Sequence, residues 1–152
     1  MRRAISITAL LTLSLAIVPL CASASSDEIP DQQTIDSLTA KADQASPREQ
    51  CFLYAQLVHA MTEFSVRQYA AGNVVKASVL LKKIQELSHK IHLSVADNDK
   101  RLKNAEMLLS STAFRLTELL HSSDFQDQQL IKQTITDVDQ AQTAALMQVF
   151  NK

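Results

Sequence analysis

The sequence predicts an all-α protein: an up-down-up-down antiparallel four-helix bundle preceded by a short N-terminal helix. Two observations predict this fold class. From Arg48 to Lys152 the chain contains one glycine, Gly72, and no proline. A stretch of that length without the two strongest breakers of regular structure is typical of helices. Apolar residues in the same stretch recur every three or four positions, which is the spacing of a half-buried helix.

The first 24 residues have the pattern of a signal peptide. Arg2 and Arg3 give a positive start, an apolar run follows, and Ala22-Ser23-Ala24 presents small residues to a signal peptidase. Cleavage is therefore expected after Ala24. The alternative is an uncleaved anchor, because the segment is just long enough to span a membrane.

The remaining chain is expected to be an exported protein, periplasmic or extracellular, with a flexible leader over 25–30 and one helical domain over 31–152. After cleavage no apolar run approaches the roughly 18 residues of a membrane span. Removal of Arg2 and Arg3 leaves 13 basic residues against 16 acidic ones, a net charge of −3. That balance argues against a nucleic-acid partner, which would need clustered excess Lys and Arg.

Helix boundaries can be placed from capping residues. Asp31 can cap a first helix that reaches about residue 45. In Ser46-Pro47-Arg48-Glu49, Ser46 can accept from an early amide, Pro47 needs no donor, and Glu49 can reach back. Gly72 provides a left-handed stop. Further starts are expected at Asn73, at Asn98 and at Ser123, which pairs with Gln126.

These starts indicate four helices of nearly equal length, because they lie 27, 25 and 25 residues apart. Equal helices joined by short turns favour antiparallel neighbours, hence the bundle. The competing architecture is a stack of helical repeats, whose known hairpin periods are shorter than the roughly 50 residues of two helices here.

The second helix differs from the three that follow it. Those three each carry one apolar stripe, exemplified by Ile84, Leu109 and Val138. The second helix is apolar around most of its circumference, and its polar stripe is narrow: Glu49, Gln56, Glu63 and Arg67. A helix of this kind is surrounded by others, so we expect it to be the central element.

Histidines are the only candidates for a metal or heme site. Glu86 with His89 and Glu118 with His121 have the i,i+3 spacing of di-iron bundles, but both pairs fall off the apolar stripes. His89 with His92 would make a weak surface site without a third ligand. His59 is expected to be a packed histidine bonded to a neighbour. We therefore predict no metal and no cofactor.

No catalytic constellation is evident, so the protein is not expected to be an enzyme. Cys21 leaves with the signal peptide, so Cys51 remains alone without an internal disulfide. It projects from an apolar face and is expected to be a buried, inert thiol, with a reactive or intermolecular thiol as the alternative.

A surplus of apolar residues lies off the stripes and forms the candidate interaction surface. Its members belong to the second, third and fourth helices: Phe52, Val66, Tyr69, Val79, Leu93, Met107 and Phe114. Coverage by the first helix and the curvature of the bundle would explain them, and the alternative is an exposed patch that contacts another chain. A protein partner or self-association is therefore expected.

Two segments, residues 47–59 and residues 100–107, resemble small exported helical proteins of acidobacterial type. That group has no assigned activity, so the resemblance implies an exported helical fold and transfers no functional residue. The sequence favours a non-enzymatic binding or scaffolding module of the cell envelope, with a metal- or heme-binding bundle as the alternative.

Overall fold

The computed structural model describes residues 30–94 and 99–150, and these residues form five α-helices. They are α1 (Gln32–Gln44), α2 (Pro47–Ala70), α3 (Val74–Ser94), α4 (Asp99–Ser122) and α5 (Phe125–Phe150). No strand occurs within the described ranges, so the all-α fold class is confirmed. The predicted signal peptide and leader residues 25–29 lie outside these ranges. None of the five helices is long and apolar enough to cross a membrane.

Three of the predicted helix boundaries are formed as expected. The Asp31 side chain accepts a hydrogen bond from the Thr34 amide at 2.8 Å and so caps α1. Gly72 ends α2 with a φ of 78°, a left-handed conformation that other residues resist. The Asn73 carbonyl accepts the first bond of α3, from the Ala77 amide.

Two side-chain caps are formed differently from the prediction. Pro47 does begin α2, but the Ser46 side chain makes no capping hydrogen bond. Glu49 turns outward instead and pairs with Arg101 of α4. At the start of α5 the Asp124 carbonyl accepts the first helical bonds, and the Ser123 hydroxyl donates backward to Leu120. Local capping rules assign Glu49 and Ser123 to helix starts. In the structure Glu49 instead pairs with Arg101, and Ser123 bonds to the end of α4.

Four helices, α2, α3, α5 and α4, form a closed ring of contacts, and α1 packs against α2. α2 contacts α1, α3 and α4, while α5 contacts α3 and α4. Hydrogen bonds join Glu49 to Arg101 and Glu63 to Arg115, and each pair is separated by 52 residues. Because the numbers of the partners rise together, α2 and α4 lie side by side and run in the same direction.

The neighbours differ from those of the predicted up-down-up-down bundle, which is not confirmed. In the described residues, α3 and α4 make no contact, although they are consecutive in the chain. A short turn fixes the reversal of direction, but it does not fix which helix becomes the neighbour. α2 is apolar on several faces and packs against three helices, so it takes the position beside α4. Parallel neighbours of this kind also occur where helix pairs stack.

The core lies inside the ring and follows the predicted stripes. Ile84, Leu109 and Ile131 are fully buried, one from each of α3, α4 and α5. On α2, Leu57 and Val58 are buried on adjacent sides of the helix, which confirms that it is surrounded. α1 covers α2 from outside through Ile35 and Ala42.

One buried hydroxyl is an exception to the pairing of polar groups in this core. Thr112 and Thr134 each donate to the carbonyl four residues earlier, and Ser88 does the same. Thr62 is also fully buried, but its Oγ1 has no hydrogen-bond partner among the described residues. An unpaired buried hydroxyl destabilises the folded state.

Thr62→Val is therefore expected to raise the free energy of unfolding by about 1 kcal/mol, because it removes the unpaired oxygen and keeps the shape. Thr134→Val is the matched control, since it removes a hydroxyl that is paired, and it should not stabilise. Urea unfolding of the two variants measures the difference. Equal effects of the two substitutions would contradict this assignment.

Candidate functional site

A row of polar contacts joins the parallel helices α2 and α4. At one end Arg101 donates to Glu49 Oε1 at 2.8 Å. In the middle His59 contacts Thr112, and one turn later Arg115 donates to Glu63. This row uses part of the narrow polar stripe that the sequence placed on α2. We call it the α2–α4 seam.

Arg115 is the strongest contact of the seam. Its Nε and Nη2 donate to the two carboxylate oxygens of Glu63 at 2.8 and 3.0 Å, and its Nη1 donates to Glu118. Hydrogen bonds from Arg115 to Glu63 and then to Glu118 raise the pKa of the guanidinium, so it stays charged. A planar guanidinium that holds a carboxylate at two points is geometrically specific. Arg115 therefore fixes the register of α4 on α2.

His59 is half-buried and bonded to α4, as the sequence predicted. Its Nδ1 lies 3.2 Å from Thr112 Oγ1, and that hydroxyl donates its own proton to the Leu108 carbonyl at 2.7 Å. Thr112 must then accept from His59, which assigns the proton of the neutral imidazole to Nδ1. Burial lowers the pKa of His59, the Glu63 carboxylate opposes this, and the Arg115 charge adds to it.

This shift predicts a pH dependence of stability. In the unfolded chain His59 binds a proton near its ordinary pKa of about 6.5, while in the folded chain it binds one only at lower pH. Above about pH 6.5 the His59 imidazole is neutral in both the folded and the unfolded chain, and its contribution to stability is complete. As the pH falls below about 6.5 the unfolded state takes up the proton first, so stability decreases until the folded pKa is passed.

Thermal melting between neutral and mildly acidic pH checks this expectation. The wild-type protein should lose more stability than His59→Asn over that interval. His121→Asn is the control, because the His121 side chain is exposed. Identical pH profiles for wild type and His59→Asn would contradict the assignment.

Two open hollows flank α1: one lies between α1, α2 and α4, and the other lies between α1 and Arg67 of α2. One, of about 620 Å³, is lined by Phe52 and Leu53 at its floor and by Lys41 and Arg101 at its rim. The other, of about 760 Å³, continues along α1 to Arg67 and shares Lys41. Arg101 is held by Glu49, and Arg67 donates to the Pro30 carbonyl at 2.6 Å. In the second hollow the Thr34 hydroxyl donates to the Asp31 carboxylate at 2.9 Å, a contact that belongs to the cap of α1.

The other histidines weighed as candidate metal ligands lie on α3 and α4, not beside His59 on α2. His89 is exposed on α3, with its Nε2 3.8 Å from Asp137 Oδ1 of α5. His121 is exposed near the end of α4, and the side chain of His92 lies outside the described residues. Across residues 30–94 and 99–150 no three His, Cys, Asp or Glu side chains converge as metal ligands.

Cys51 is buried near the start of α2, as expected for a structural thiol. Burial raises its pKa to about 11. The thiolate, which is the reactive form, is therefore scarce at neutral pH.

The structure divides the predicted interaction surface into two groups. Phe52, Val66 and Tyr69 are half-buried and pack against the core. The Tyr69 hydroxyl donates to Asp127 at 2.8 Å and accepts from the Asp124 amide at 3.0 Å, so it holds the α4–α5 turn against α2. Burial is the main cause that raises its pKa, and the hydrogen bond from the Asp124 amide opposes it. These three residues are integrated into the fold.

The second group is exposed. Val79 projects from α3, and Met107 and Phe114 project from α4, where their exposed fractions are 66% and 65%. Met107 and Phe114 are seven residues apart, so they share the side of α4 that faces away from Leu109. The side chain of Leu93 lies outside the described residues.

Sequence reasoning missed a set of exposed apolar residues on α5. They lie at its start and in its last two turns: Phe125, Leu146, Met147 and Phe150, and Val75 is a further one on α3. Phe125 and Phe150 are 88% and 77% exposed. The sequence signal for them is their position on the helix: they are apolar residues that lie away from the stripe of Ile131 and Val138, as Val79, Met107 and Phe114 do on α3 and α4.

We refer to one set of exposed apolar residues as the α4–α5 outer surface. It consists of Met107, Phe114, Phe125, Leu146, Met147 and Phe150. With exposed areas of roughly 100 Å² or more for most of these large side chains, the set presents several hundred Å² of apolar area. Single exposed apolar residues are ordinary, but these six follow one another along two neighbouring helices, which makes them the candidate interaction surface.

Comparisons of the chain with protein-family models, with curated proteins and with solved structures find no match. The resemblance to acidobacterial exported proteins therefore stays a prediction.

Proposed function

We propose that this protein is an exported, non-enzymatic binding or scaffolding module of the cell envelope that contacts another protein through the α4–α5 outer surface. The observation that carries the proposal is the exposure of Phe114, Phe125 and Phe150 on helices whose opposite sides are fully packed. Aromatic and methionine side chains are enriched at protein interfaces. Burial against a partner removes this area from water, at about 25 cal/mol per Å² before the costs of association.

Contacts elsewhere in the fold hold the two helices that carry this surface in fixed positions. Tyr69 holds the α4–α5 turn, and Arg115 fixes α4 on α2. In this proposal the hairpin of α2 and α3 and the hairpin of α4 and α5 lie side by side, and the outer surface belongs to the second hairpin. The polar groups of the α2–α4 seam bond to one another. In this proposal they align α4 with α2 and do not take part in catalysis.

Site-specific photo-crosslinking in the producing cells tests the proposal. A photoreactive amino acid at position 114 or 150 should give adducts, because both positions would lie against the partner. The same amino acid at Lys83 is the control, since that side chain is exposed on α3 and pairs with Glu86. Absence of adducts at 114 and 150, or equal adducts at all three positions, would overturn the proposal.

The alternative left open by the sequence, a metal- or heme-binding bundle, makes a different expectation. Metal analysis and an absorption spectrum of protein purified without chelator would then show stoichiometric metal or a heme band. Replacing His59 would then test for the ligand. The contact of its Nδ1 with Thr112 holds the ring in place and leaves Nε2 to bind a metal or heme iron.

A further inference from the structure

The exposed side of α5 carries a seven-residue repeat with a particular order of side chains. Phe125, Lys132, Asp139 and Leu146 follow one another at intervals of seven. All four are exposed, and they lie off the buried stripe formed by Ile131 and Val138. Residues seven apart lie nearly above one another on a helix, so this row runs along the outside of α5 and can meet another helix along its length.

The row reads apolar, basic, acidic, apolar, so it is complementary to a second copy of itself that runs in the opposite direction. Lys132 and Asp139 are equally far from the midpoint between residues 135 and 136, and so are Phe125 and Leu146. A second α5 laid antiparallel about that midpoint would place each lysine against an aspartate and each Phe125 against a Leu146. An isologous interface requires this kind of symmetry.

The two charged residues have no ion-pair partner among the described residues of their own chain. They are also too far apart to pair with each other, because seven residues of helix span about 10.5 Å. Partial burial, and not a neighbouring charge, raises the pKa of Asp139. A carboxylate of this kind gains from a cation supplied by another molecule.

The surface beside Asp139 also has the shape for a partner helix. A shallow hollow of about 400 Å³ lies along α5, with Thr136, Asp139, Thr143 and Met147 among the residues that line it. Thr136, Thr143 and Ala144 are small side chains along this hollow, and they allow another helix to approach. α5 has 26 residues and so offers a contact about 39 Å long.

We infer that the occupant of the α4–α5 outer surface is a second copy of this chain, paired antiparallel through α5 with Lys132 of each copy against Asp139 of the other. The inference names the partner of the surface proposed above and rests on that proposal. One charge of each sign, placed symmetrically, favours this partner over a strongly acidic or strongly basic one. The apolar ends supply attraction, and the charge pairs set register and direction.

Charge exchange tests this pairing by sedimentation of the purified protein over a wide concentration range at low salt. The wild-type protein is expected to form a dimer. Lys132→Asp and Asp139→Lys should each raise the dimer dissociation constant at least about tenfold, because two like-charge contacts replace two attractive ones. The double variant should recover the wild-type dissociation constant, since each pair is restored with its signs exchanged.

A mixture of the two single variants gives a second readout. One chain then carries only aspartate and the other only lysine at both positions, so a heterodimer should form more tightly than either variant dimerises alone. Lys82→Asp is the matched control for the change of charge, because Lys82 is exposed on α3, and it should dimerise like the wild type. Circular dichroism of each variant verifies that the helices remain folded.

The outcomes separate this inference from the proposed function. A dimer that the double variant and the mixture fail to restore would use another face and would overturn the pairing. A wild-type protein that stays monomeric, but crosslinks to a different protein from position 114 or 150, would overturn the second copy and leave the binding module intact. A monomer without crosslinks would overturn both.

Discussion

Leu57→Ala is expected to lower the free energy of unfolding by about 3–5 kcal/mol, the upper part of the range for a buried leucine. Leu57 lies in the middle of α2 with 1% of its surface exposed. α2 packs against α1, α3 and α4, so a cavity at this position removes contacts at the centre of the fold. Its surroundings are held by several helices and cannot easily collapse into the space.

Denaturant unfolding followed by circular dichroism measures this change. Leu146→Ala is the matched control, because it removes the same atoms from a side chain that is 40% exposed on the α4–α5 outer surface. That variant is expected to lose less than about 1 kcal/mol. A comparable loss at both positions would mean that α2 is not the central element.

Arg115→Ala is expected to cost about 2–3 kcal/mol, because it leaves the Glu63 carboxylate without its two charged hydrogen bonds. The Glu63 side chain is 21% exposed, so water replaces only part of what is lost. Arg115→Lys keeps the charge but loses the two-point geometry, and it should give an intermediate value.

The exposed pair of Lys83 and Glu86 provides the comparison for Arg115. Lys83→Ala should change stability by less than about 0.5 kcal/mol, since exposed ion pairs contribute little. A double-mutant cycle of Arg115→Ala with Glu63→Gln isolates the contact itself. A coupling energy near zero would show that Arg115 does not fix α4 on α2.

The sequence determined the helices well, because the signals for them are local. Gly72 stops α2 through its own backbone conformation, and Asp31 caps α1 through an amide three residues away. The central place of α2 was also predictable, since a helix with a narrow polar stripe must be covered on its other sides. His59 was expected to be packed and bonded, and it is bonded to Thr112.

The arrangement of the helices depended on contacts that local signals do not encode. Glu49 had the position of a capping residue but pairs with Arg101, a partner 52 residues away. The same register places α2 beside α4, and no rule about short turns predicts that choice. On α5 the exposed Phe125 and Phe150 were not predicted, because the apolar spacing of this helix indicates the buried stripe and does not show that residues off it stay uncovered.

The central claim is that another protein molecule covers the α4–α5 outer surface in the native state. The most direct measurement is the mass, by analytical ultracentrifugation, of the gently extracted native protein and of a Met107, Phe114 and Phe150 triple serine variant. We expect more than one chain in the wild-type particle and a single, still helical chain for the variant. A single chain in both samples, or an unchanged complex in the variant, would contradict it.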